Sequence, residues 1–453
     1  TMSASSAFDI FNFGESSGNA LTLTNVNNLF NFGDFAGNAM TAVSSDDVFN
    51  FGEQAGDSLY ATNSFDIFNY GDLAGNQMTA TNSSDLFNYG YNVGATSASE
   101  YSSWIFNFGV SSGYAMRLTN MASVFNYGDQ AGKQMTAAYG SYLFNYGHEA
   151  GYGSSLTNVE DIFNYGEAAG YQAAATNSSD IFNYGYQAGN QAASTYASYV
   201  FNSGHGVGAF SILTNVADVY NYGDNAGYQM NMVYAADLFN YGFESGKLMT
   251  GTNGNDIYNY GSDAGLSMAV TNSYDIYNYG NYAGSSMTTT NSYALYNLGS
   301  TAGLQMIVKD SYELYNIGVD AGKNMTVRDS YGIFNIGNSA GNAMSATNSY
   351  NIYALGGLQN TFLTNSHDVV SIGQLAGNSI SGSFTNVVLI GDGATATSGA
   401  TDQVIIGSGA SFLQGTNLIL SSSAGYTAAG TKFLSDNGTY KTVVSTTINS
   451  LDG

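Results

Sequence analysis

The chain has no cysteine, no proline, and only 8 Lys and Arg among its 453 residues. Without cysteine there are no disulfides and no thiolate metal sites. Without proline nothing removes a donor from a backbone ladder, which suits a chain that is sheet nearly throughout. The few bases stand against 33 Asp and Glu, leaving a net charge of −25. Phosphate binding requires Lys and Arg to displace counterions, so no nucleic-acid partner is expected. Anionic membrane surfaces are disfavoured for the same reason. No run of eighteen apolar residues occurs, so no membrane insertion is expected either.

What is present is a period. Hydrophobic residues make up 44% of the chain, too many for a disordered polymer. The hexapeptide Asp161-Ile162-Phe163-Asn164-Tyr165-Gly166 returns at 180–185, and its variants close on glycines from Gly14 to Gly356 at every nineteenth position. Nineteen copies follow without insertion or deletion, the signature of stacked repeats in register. A second glycine follows four residues later, as at Gly18, Gly75 and Gly170, then Met or Leu in most copies, as at Met40 and Met78. A Thr-Asn pair often comes next, as at Thr62-Asn63. Glycine, β-branched and aromatic residues argue against helix. A short strand, a Gly turn, a second short strand and an Asn/Ser/Asp turn fill the period. The expected fold is all-β: a parallel β-solenoid, or β-roll, of 19-residue coils.

Side chains alternate across a strand, so the aliphatic residue and the Asn share one face and the two aromatics the other. Both faces carry large apolar groups, as in a strand buried on both sides. One face fills the coil; the other needs a partner, and an identical chain is the simplest one. The aliphatic face is taken as the outer one, where it would form an apolar patch larger than monomers tolerate. The expected oligomer interface is therefore Ile67, Asn69, Ile162, Asn164, Ile181, Asn183, Ile257, Asn259, Ile276 and Asn278. The Asn residues are expected to stack as an amide ladder.

After Gly356 the steps shorten and aromatics yield to Val, Ile and Leu, at Val370-Ser371-Ile372-Gly373, Val388-Leu389-Ile390-Gly391 and Val404-Ile405-Ile406-Gly407. The expected organisation is a repeat solenoid over 1–357, tapering coils over 358–412, and a C-terminal cap or stalk connector over 413–453. The stretch NVVLIGDGATATSGATDQVIIGSGA at 386–410 resembles the head repeats of trimeric adhesins of the YadA type. The segment KFLSDNGTYKTV at 432–443 is similar to an element of phage tail-fibre proteins. This resemblance implies a left-handed roll, a homotrimer, and attachment to a host cell surface. Handedness comes from the resemblance alone, since the crossover rule for ordinary sheets favours the right hand.

Chemistry has little to stand on. His148 and His205 sit where other copies carry Asp or Glu, as turn residues, and the six bases of the repeats are scattered. No catalytic constellation is read and no enzyme is expected. Asp precedes the aliphatic residue in ten of nineteen copies; such rows suit Ca²⁺, but turn capping and solubility are the plainer reading. No metal site or cofactor is therefore assigned. Trp104, Tyr142 and Tyr199 replace that Asp, and Tyr101, Tyr139 and Tyr196 replace or flank the Thr-Asn pair. Packing against a neighbouring part of the fibre is the plainer reading of these six, but exposed aromatics also suit sugar stacking, and on that ground they are the candidate receptor-binding residues. In the coils from Gly147 to Gly204 the Met position shrinks to Ser154, Ala173, Ala192 and Ser211, which should narrow the coil or make room for Tyr152 and Tyr171. The expected role is a structural, receptor-binding fibre on a virion tail or extracellular surface. Its partners would be a host glycan or protein and other phage tail proteins. A cellular trimeric adhesin or self-assembling filament is the alternative; an ice-binding protein is the least favoured.

Overall fold

The computed structural model is a parallel β-solenoid of about 20 coils of ~19 residues. The structure describes residues 3–356 throughout, and beyond them 362–373, 376, 380, 387–391, 394, 396, 400, 404–406, 431–434 and 440–443. No helix occurs among the described residues. The chain divides into two compact units, Thr1–Tyr241 and Gly242–Gly453.

One coil of the first unit, residues 66–84, shows how the sequence winds. A strand over Ile67–Tyr70 and a shorter one over Thr79–Thr81 are joined by the glycine turn. Ile67 pairs with Leu86 of the next coil and Thr79 with Ala98, both in parallel register. Ile67, Asn69, Ala74, Met78, Ala80 and Ser83 all point inward and are at most 2% exposed. Burying an Ile or Met side chain stabilises by about 1.5–3 kcal/mol, and the same column repeats in each coil.

The faces are therefore the reverse of the expected ones. Ile67, Ile162, Ile181, Ile257 and Ile276 lie inside the coil, as do Asn69, Asn164, Asn183, Asn259 and Asn278; none of the ten is more than 5% exposed. They cannot be an outer interface in this fold. The reason is volume: the two strands of a coil enclose a narrow space that aliphatic, Ala and Met side chains fill. Phe68 is half-buried and Tyr70 is 54% exposed, both on the outside. Outside, the rings stack coil on coil, with Phe68 and Phe87 4.7 Å apart and within 3° of parallel.

The amide ladder forms as expected, but in the core. Within the first unit each Nδ2 from Asn12 to Asn221 donates to the Oδ1 nineteen residues on, at 2.8–2.9 Å. The second unit repeats the pattern from Asn259 to Asn335. Where the coil carries Met, the amide also lies against sulfur, as Asn69 does against Met78 at 3.9 Å. A thioether is a weak acceptor, so it takes part of the hydrogen-bonding capacity the ladder leaves over.

The turns need left-handed residues. Asn63 (φ 51°) and Gln77 (φ 55°) adopt that conformation, as do their equivalents along the chain. Asn tolerates it because its short side chain bonds locally. The motif glycine answers to contact instead: a Cβ on Gly71 would lie 1.5 Å from the Gly52 carbonyl oxygen.

In the second unit the shorter coils continue through strands Val369–Ser371, Val388–Ile390 and Val404–Ile406, paired in parallel. Thr431–Leu434 and Tyr440–Val443 form an antiparallel pair. The expected boundaries at 357/358 and 412/413 fall outside the described residues.

Candidate functional site

Each coil turns a corner between its short and long strands. In the second unit Ser273 and Ile276 both point inward, so the two residues between them, Tyr274 and Asp275, stand on the outer side. Five successive coils place tyrosine first: Tyr274, Tyr293, Tyr312, Tyr331 and Tyr350, followed by His367. These rings stack at 4.8–5.3 Å, all within 11° of parallel. Three residues further on, Tyr277, Tyr296, Tyr315, Phe334 and Tyr353 form a second stack at 4.5–4.8 Å.

Between the two rows runs a groove of about 670 Å³. Along it lie Asp275, Ala294, Glu313, Gly332 and Asn351, one per coil. Glu313 (φ 47°), Gly332 (φ 62°) and Asn351 (φ 53°) are left-handed. For Glu313 that conformation is uncommon and is held by the stacked strands around it. In these three coils the long strand begins at the tyrosine itself, Tyr312–Ile317, Tyr331–Ile336 and Tyr350–Leu355. Burial, and after it the Asp275 carboxylate, hold the Tyr277 phenol above its usual range. Burial and the neighbouring Tyr277 and Tyr315 phenols do the same to Tyr296. The Tyr277 and Tyr296 phenols thus stay protonated at neutral pH and can donate as well as stack. No Lys or Arg lines this groove.

The six residues singled out in the sequence lie in the first unit and form no single site. Tyr101, Tyr139 and Tyr196 occupy the left-handed corner that other coils give to Asn, with φ 55–58°, and each is more than half exposed. They share a column, but Asn120, Asn158 and Asn177 stand between them, so their rings do not stack on one another. Tyr234 (φ 56°) belongs to the same set, although its sequence context does not mark it out. Trp104 lies parallel to Phe106 and Phe125 at 6.1 Å, so part of its surface is already used within the chain. Tyr199 is half-buried between Phe182 and Tyr220, while Tyr142 is exposed.

Tyr152 and Tyr171 do not enter the coil at the shrunken Met positions. Those two rings stack outside, 5.2 Å apart. Inside, Ala173, Ala192 and Ser211 border a cavity of about 20 Å³. Ser154 and Ser211 instead reach back to the carbonyls of Gly132 and Gly189 at 2.7 Å. His148 and His205 are exposed beside Glu167 (2.9 Å) and Asp224 (3.2 Å). Among the described residues no group of three His, Cys, Asp or Glu side chains is placed to hold a metal ion.

No protein-family model, curated protein or solved structure matches this chain.

Proposed function

We propose that the chain is a structural and receptor-binding fibre protein, a phage tail fibre that attaches a virion to a host cell surface. The observation that carries this reading is the outer aromatic face. After each coil has filled its own interior, Tyr127, Tyr146, Tyr165 and Tyr184 remain 47–52% exposed in one stacked column. A column of exposed rings repeated from coil to coil is a contiguous surface of the kind that marks an interaction site. Sister chains set side by side cover such columns, and three copies in a left-handed fibre is the arrangement proposed. The ladders suit a protein exposed outside the cell, because within each unit a coil is tied to the next by backbone bonds and side-chain amides together.

Host recognition is assigned to a cell-surface glycan or protein met by aromatic columns that the assembly leaves open. Mass photometry of the purified full chain is the test of assembly. Three times the 47.5 kDa chain mass is expected, and a single-chain mass overturns the trimer. Saturable binding of the labelled chain to some bacterial strains within a panel tests attachment; binding to none overturns it.

A further inference from the structure

We infer that the groove between the two tyrosine rows of the second unit is a binding site for an extended, uncharged linear polysaccharide lying along the stack of coils. The assignment deepens the surface-attachment reading and rests on it for where such a polymer is met.

Three features of the groove select this ligand class. First, its two sides are rows of flat rings, with Tyr274, Tyr293, Tyr312 and Tyr331 each 42–53% exposed. The stack turns the ring faces toward one another, so each row offers the groove a continuous apolar wall of ring edges tipped with hydroxyls, against which a pyranose packs its C–H groups while its hydroxyls turn to the polar floor. Second, what lies between the rings is polar: Asp275, Glu313 and Asn351 supply acceptors, and Asn351 also donors, for hydroxyl groups. A purely apolar partner, such as a sister chain's hydrophobic face, would bury these carboxylates unpaired at a cost of several kcal/mol. Third, the site repeats with the coil. Rings follow one another at 4.5–5.3 Å along both rows, about the length of one sugar in an extended chain. A ligand with that repeat presents the same face to each rung, and a globular ligand does not.

Charge sets the sign. The groove holds Asp275 and Glu313 and is lined by no base, so uronic-acid and phosphate-bearing polymers are repelled. The left-handed backbone at Glu313, Gly332 and Asn351 is part of the device. It is confined to the three later coils, and the coils of Tyr274 and Tyr293 hold the same two rings without it, so it shapes the floor of the groove and not the rows. The first unit has no such double row: the position of Tyr274 is held there by Ser84, Ser103, Ser179 and Ser198 among others.

The test uses the full chain and a panel of linear neutral hexasaccharides, β-1,4-linked glucose, N-acetylglucosamine and mannose and α-1,4-linked glucose, with oligogalacturonate as the anionic probe. Binding is read by calorimetry. At least one neutral oligomer is expected to bind, more tightly with length, and oligogalacturonate to bind at least tenfold more weakly. Removing two stacking rings, in Y312A/Y331A, should weaken binding by about tenfold. Y312F/Y331F should retain most of it. A294R, which places a long side chain in the groove without altering either row, should abolish it. Equal binding by Y312A/Y331A and the parent, or no binding by any neutral oligomer, overturns the inference. Attachment to cells is measured separately on the same variants. Cells bound equally by the parent and A294R would refute the groove as the point of contact while leaving attachment standing; cells bound by neither would refute attachment.

Discussion

Gly75 lies against Asn88 of the following coil so closely that a Cβ on Gly75 would sit 2.2 Å from the Asn88 side-chain oxygen. Gly75 is also left-handed, with φ 62°. Both constraints fall on one residue, and they recur at Gly56 against Asn69 and at Gly132 against Asn145. The second glycine of the motif is thus the seat of the amide ladder.

Gly75→Ala is therefore expected to destabilise the surrounding coils by about 3 kcal/mol, the sum of left-handed strain and overpacking. Gly153 provides the control. It has φ 63°, but an added Cβ would meet only Gln134 Cγ at 3.7 Å. Other coils hold Gln at that position, as at Gln77 and Gln172. Gly153→Gln should carry the left-handed strain alone, about 1–2 kcal/mol, without the overpacking. Hydrogen exchange of amides in the flanking coils distinguishes the two, because opening in stacked repeats is local. Equal protection in both variants would contradict the packing argument.

The ladder itself is expected to be most sensitive in its middle. Asn164 accepts from Asn145 and donates to Asn183, both at 2.8 Å. Asn164→Ala leaves a buried donor and a buried acceptor without partners, a cost of about 2–4 kcal/mol. Asn335 accepts from Asn316 at 2.9 Å, but the next coil carries Ala354 in its place. Asn335→Ala orphans one group instead of two and should cost about half as much. Chemical denaturation of both variants, followed by hydrogen exchange near each site, checks the ratio.

The period, the parallel stacking and the ladder were all legible in the sequence, because each rests on spacing alone. Which face points inward was not. Alternation divides Ile67 and Asn69 from Phe68 and Tyr70, but it is symmetric between inside and outside. The expectation that aliphatic residues lie outward followed from treating Phe as core material. Coil volume decides otherwise, and the Asn88 contact on Gly75 carries that information. Amides bonded coil to coil need a dry interior, and glycine beside them leaves the space. The tyrosine groove has a sequence signal too, since Tyr274, Tyr293, Tyr312, Tyr331 and Tyr350 keep the same step of nineteen. That signal is quiet. Aromatics that break the pattern, Trp104 and Tyr142 among them, stand out more than a column that changes character over five coils.

Ala192→Met is expected to stabilise the first unit. Ala192 borders the internal cavity together with Ala173 and Ser211. In Met-bearing coils the side chain at this position fills the interior and lies against the ladder amide, as Met230 does against Asn221 at 3.9 Å. Ala192→Met restores both contacts, to Asn183 in this case, and should add about 1 kcal/mol. A fall in melting temperature would mean that the coil has tightened around the small residues and has no room for the larger one.

The column of acids gives the fold an unusual pH dependence. Burial raises the Asp161 carboxyl above its ordinary 3.8, and the charges of Asp180 and Glu160 add to this. Asp47 and Asp85 are raised in the same direction by burial and by Asp66. A carboxyl raised in the folded state favours folding fully below the unfolded value, and that contribution is lost as pH rises through the folded value. Stability from this column should therefore grow as pH falls from 7 towards 4, opposite to the trend of a salt-bridged carboxylate. Asp161→Asn removes the charge at every pH. It should raise the melting temperature at pH 7, and the gain should shrink as pH approaches 3.8. A gain that is constant with pH would assign the effect to hydrogen bonding by the new amide, and a loss at pH 7 would show that Asp161 is held by a favourable partner.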